Sequence, residues 1–125
     1  MESLVTATKL YLANNPAATL PTGPLCSPAG AASAADKATD GTGWLTFNIN
    51  TGSTSNTLPA LPSDPAGSAT QRYVYAADAN LNFEYSAILE STSNDARETG
   101  DGGGDGTRYE AGTAVTLTTT TASCP

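Results

Sequence analysis

Two short runs of alternating residues constrain this chain more than anything else in it. Residues 73–77 and 83–90 read as strands, with Phe83, Tyr85, Ala87 and Leu89 pointing one way and Glu84, Ser86 and Glu90 toward water. Asp78-Ala79-Asn80 lies between them and supplies turn residues, so an antiparallel hairpin is expected. Its apolar face needs a cover. The one convincing helical pattern, residues 3–14, provides it: Leu4, Ala7 and Tyr11 share a face, flanked by Val5, Thr8 and Leu12. Asn14-Asn15-Pro16 stops that helix, because proline disfavours helix in the residue before it and carries no N–H.

The remaining segments fill in an α+β plan. Residues 44–50 alternate Leu45, Phe47 and Ile49 against Thr46, Asn48 and Asn50, which predicts a half-buried strand led by Trp44, a core or core-edge residue. Leu58-Pro59-Ala60-Leu61-Pro62 makes no central strand, since its two prolines remove ladder donors. Residues 113–120, rich in β-branched side chains, predict a last strand. The expected fold is one N-terminal helix packed on a three- to four-stranded antiparallel sheet, in a single domain over residues 1–125. Within it, residues 1–15 hold the helix, 16–43 a long Pro/Gly/Ala/Ser surface connection, and 44–120 the sheet region.

Composition narrows the function. A net charge of −7, with five Lys and Arg, disfavours nucleic acid or anionic lipid as a partner. Only 38% of the 125 residues are apolar, so the core is thin and the loops long. Cys26 and Cys124 form an isolated pair, and with no His in the chain they fit no zinc pattern. A disulfide is the preferred reading over two free buried thiols. It closes a loop of about 100 residues, with a chain-entropy stabilisation of up to about 4.7 kcal/mol. The compartment implied is oxidising, the periplasm or the cell surface. No stretch approaches the length of a membrane span and no signal peptide is visible, so the chain is expected to be the soluble part of a longer precursor, with Met1 added at a truncation.

The residues offer two kinds of site. The acidic Gly-rich loop 94–106 carries Asp95, Asp101 and Asp105, which supply hard oxygens for calcium in a segment able to curve around it. The alternative is a solvated acidic loop, since glycine loses most entropy on ordering. Catalysis is not expected. There is no His, and Glu84 and Glu90 fall about 20 Å apart along one strand at roughly 3.3 Å per residue. Paired carboxylate chemistry needs separations under about 10 Å.

Gly41-Thr42-Gly43-Trp44-Leu45, Leu61-Pro62-Ser63-Asp64-Pro65, Tyr73-Val74-Tyr75 and Tyr85-Ser86-Ala87-Ile88-Leu89-Glu90-Ser91 follow one another in an order with family resemblance. So does the tail, Asp101-Gly102-Gly103-Gly104-Asp105 followed by Tyr109-Glu110-Ala111-Gly112-Thr113. Over about 75 residues these segments resemble the globular head of bacterial type IV pilins and the pseudopilins of type II secretion. The resemblance implies a structural subunit of an extracellular or periplasmic filament. Its partners are copies of itself and other pilins, joined through an apolar half-helix that precedes the head and anchors the precursor in the inner membrane. Major pseudopilins often bind calcium near the C-terminus and lack a disulfide, so the cysteine pair leans toward a true pilin. The second reading is a cell-surface adhesin or minor pilin that binds a ligand through its loops or through Trp44, Tyr73 and Tyr75.

Overall fold

The computed structural model describes residues 2–28, 32–51, 58–63, 72–88, 93, 95–102 and 107–114. Its first element, α1 (Glu2–Asn14), buries Leu4, Val5, Ala7 and Thr8 on the face that the periodicity selects. Asn15 finishes it twice over: its backbone N–H donates to the Tyr11 carbonyl at 3.0 Å, and its side-chain amide donates to the same oxygen at 2.9 Å. Pro16 then takes the chain out of the helix, as expected.

The sheet has four antiparallel strands in sequence order: β1 (Leu25–Cys26), β2 (Val74–Ala77), β3 (Phe83–Ala87) and β4 (Tyr109–Gly112). Tyr75 stands opposite Tyr85, which stands opposite Ala111; Val74 pairs with Ser86, and Ser86 with Glu110. The hairpin tip is stapled by Asp78. Its carboxylate accepts from the Asn80 and Asn82 backbone N–H groups and the Asn82 side chain, which holds its pKa below the usual carboxylate range.

The helix side of the sheet is the core. Tyr11 meets Phe47 at 5.1 Å between ring centroids, Phe47 meets Tyr75 at 5.7 Å, and Tyr75 meets Tyr85 at 5.4 Å. These tilted contacts form a chain of rings running from α1 into the hairpin. Leu4, Leu20, Leu45, Ile49, Leu58, Leu61 and Phe83 close around it. Leu89, expected on the same side, lies outside the described residues.

Several expectations are corrected. Residues 44–50 are not a strand, although Trp44, Leu45, Phe47 and Ile49 are buried and Thr46 and Asn48 exposed. Their single bridge is Asp40 to Asn48. The backbone here is occupied elsewhere: the Trp44 N–H donates to the Asp36 carbonyl, and Asn48 Oδ1 takes the Asn50 N–H in a local turn. The Asn50 side chain accepts from the Leu58 N–H and donates to the Leu58 carbonyl. Asparagine side chains thus do the work a ladder would otherwise do. The connection 16–43 is not wholly a surface loop either, since Leu20 is buried and Leu25–Cys26 joins the sheet.

The last described strand lies earlier than residues 113–120. Thr113 and Ala114 follow β4, and both their N–H groups reach the Phe83 carbonyl, a bulge that ends the ladder. Gly112 makes that bulge with a φ of 152°; a Cβ there would collide with the Phe83 carbonyl oxygen. Residues 115–120 lie outside the described residues.

Candidate functional site: the acidic loop and the polar face beneath it

The side of the sheet away from α1 was expected to meet water. It does not. Glu84 and Ser86 on β3 are 0% exposed and Glu110 on β4 is 2% exposed. Residues two apart on a strand share a face, so the register puts Glu84, Ser86 and Glu110 together with Val74 and Cys26. Arg108 lies across this face, with Nε donating to Ser86 Oγ at 3.1 Å and a terminal nitrogen donating to the Arg72 carbonyl at 3.3 Å. Arg72 in turn reaches the Ser27 carbonyl at 3.4 Å, and Ser27 Oγ accepts the Tyr73 N–H. The result is a polar layer in which the buried carboxylates of Glu84 and Glu110 lie on the same face as Ser86, whose hydroxyl takes the Arg108 guanidinium.

The acidic loop adjoins this layer. It contributes a single-turn helix, α2 (Asp95–Thr99), closed by the Gly100 N–H on the Ala96 carbonyl. Contacts from Asp101 and Arg97 bind this region to β4. Asp101 Oδ2 accepts the Glu110 N–H at 2.6 Å, and that N–H points away from β3, since Tyr85–Ala111 and Ala87–Tyr109 are the hydrogen-bonded pairs of this ladder. The Arg97 guanidinium lies over the Tyr109 ring, 5.2 Å from its centroid. The Tyr109 hydroxyl donates to Glu2 Oε1 at 2.9 Å, which carries the connection into the first turn of α1.

Of the three expected calcium ligands, Asp101 is the one whose carboxylate can be followed, and it serves a backbone N–H of β4. Asp95 opens α2, but its side chain is outside what is described, as is Asp105 altogether. Among the described residues no group of three or more Cys, Asp or Glu is placed to hold a metal ion. Cys26 is not a free thiol. Cys124 lies outside the described residues. Among the described residues no helix is long and apolar enough to cross a membrane.

The aromatic residues that an adhesin would use are turned inward. Trp44 is 8% exposed and its indole N–H donates to the Pro62 carbonyl, Tyr75 is fully buried with its hydroxyl on the Pro21 carbonyl, and Tyr73 is half-buried. Glu84, expected to face water beside Glu90, is buried, and Glu90 lies outside the described residues. The signal that sequence reading missed is the complementary charge of Glu84 and Glu110 in neighbouring strands and of Arg72 and Arg108, each two residues ahead of a strand position on the same face. No known family model, curated protein or solved structure matches this chain.

Proposed function

We propose that this chain is the globular head of a type IV pilin-like filament subunit, a structural protein displayed at the cell surface or in the periplasm. The observation that carries the reading is the packing of α1 through Leu4, Val5, Ala7 and Thr8 onto an antiparallel sheet whose strands follow in sequence order. An N-terminal helix used in this way leaves the rest of the head free to face outward. Taken with the order of the motifs, it supports a subunit that joins copies of itself and other pilins through an apolar helical segment ahead of the head. The buried positions of Trp44 and Tyr75 take two of its aromatic anchors from the adhesin reading and leave it the loops.

In this proposal the Cys26–Cys124 bridge ties the β1 edge to the C-terminus and matches the true pilins better than the secretion pseudopilins. Calcium at Asp95, Asp101 and Asp105 belongs to the same proposal as an accessory of the loop. The deciding experiment uses the native full-length gene product in its host. An antibody raised against this domain should decorate surface filaments and follow them into the pellet of a shearing preparation. Recovery of the antigen only as a freely secreted monomer overturns the filament reading.

A further inference from the structure

Tyr109 touches two elements that do not otherwise share a contact described above. From one side the Arg97 guanidinium of α2 sits over its ring at 5.2 Å; from the other its hydroxyl donates to Glu2 Oε1 of α1 at 2.9 Å. Glu2 and Arg97 are both exposed, so neither is held by a surrounding core. Their effects on the phenol oppose one another: the hydrogen bond to Glu2 raises its pKa, and Arg97 lowers it. Both groups therefore act on the same hydroxyl. The segment bearing Arg97 has a further tie to β4, through Asp101 on the Glu110 N–H.

We propose that Tyr109 is a mechanical link that couples the seating of the acidic loop to the order of the first turn of α1. The first turn of a helix has N–H groups without intrahelical partners and is where fraying starts. Glu2 lies in that turn, and its tie to β4 through Tyr109 resists the fraying. Tyr109 keeps its position partly because Arg97 covers its ring. A ligand, ion or neighbouring subunit that lifts the loop takes Arg97 away, loosens Tyr109 and releases Glu2. A change at the loop is then felt at the helix. Under the filament reading, which this consequence alone requires, α1 continues from the apolar segment used in assembly, so the loop becomes a place from which assembly is modulated. The link itself is a property of the isolated chain.

The test is a double-mutant cycle read by amide hydrogen exchange on the 125-residue chain. Arg97→Gln does not touch α1, yet it should speed exchange in the first turns of α1 about two- to fivefold, the range that corresponds to an exposed cation–π contact. Tyr109→Phe keeps the ring under Arg97 and removes only the hydroxyl. It should loosen the same amides while leaving α2 protected. In the Tyr109→Phe background, adding Arg97→Gln should change α1 no further. Two results overturn the link: Arg97→Gln leaving α1 unchanged, or Arg97→Gln shifting α1 equally in both backgrounds, which would route the effect around Tyr109. Failure of the shearing experiment leaves this cycle untouched, so the two proposals fail separately.

Discussion

Thr8 and Tyr85 make the hydrogen bond most exposed to test by substitution. Thr8 Oγ1 donates to the Leu4 carbonyl at 2.8 Å, which uses its one hydrogen; the Tyr85 phenol, 2.8 Å away, must therefore donate to Thr8. Both side chains are fully buried. Thr8→Val preserves shape and leaves the phenol without an acceptor, so it should destabilise the domain by about 1–3 kcal/mol, whereas Thr8→Ser should cost less. Chemical denaturation of the two variants checks the order. Burial pushes the Tyr85 and Tyr75 phenols well above their usual value near 10. The native state thus keeps two protons that the unfolded chain gives up in base. Stability from these groups is complete below about pH 10 and falls as pH rises beyond it. Absorbance at 295 nm should show these two phenols ionising together with loss of the fold; smooth ionisation of all five tyrosines with the fold intact contradicts the placement.

Elements were legible where periodicity and hydrogen bonding agree. In α1 the 3.6-residue pattern and the backbone ladder demand the same thing, and the expected helix over residues 3–14 differs from Glu2–Asn14 by one residue. The hairpin was legible for the same reason. Residues 44–50 show how the pattern misleads: their burial has period two, but Asn48 and Asn50 satisfy the chain locally, and no ladder forms. β1 is two residues long between Pro24 and Pro28, too short for any pattern to show. The polar layer escaped notice because a strand reads Glu84 and Ser86 as solvent-facing unless the reader knows what covers them. For α1 the consequence is a contrast. Leu4→Ala, at a fully buried position, should cost about 2–5 kcal/mol, whereas Leu10→Ala, at 38% exposure, should stay within about 0.5 kcal/mol. Thermal melts of the pair measure the difference, and equal effects would place the helix wrongly on the sheet.

At the scale of the whole molecule, two features set behaviour in solution: a thin core and a large negative charge. The core draws on 38% apolar residues, so a bridge between Cys26 and Cys124 adds a stabilisation that this domain has little means to replace. Reduction should lower the melting temperature by several degrees, at roughly 3–6 °C per kcal/mol for a domain of this size. Alkylation of both cysteines without reductant would exclude the bridge. The charge bears on assembly. Among the described residues Leu10 is the one large apolar side chain left exposed, and a net −7 makes copies of the chain repel. Neither feature supplies a drive for heads to associate, which leaves association to a helical segment ahead of the head in the filament proposal. The 125-residue chain should therefore sediment as a monomer at micromolar concentration, with the same coefficient in low and moderate salt. Salt-dependent dimers would mean that repulsion had been masking a contact between copies, and regular fibres from this chain alone would contradict the helix-driven assembly of the filament proposal.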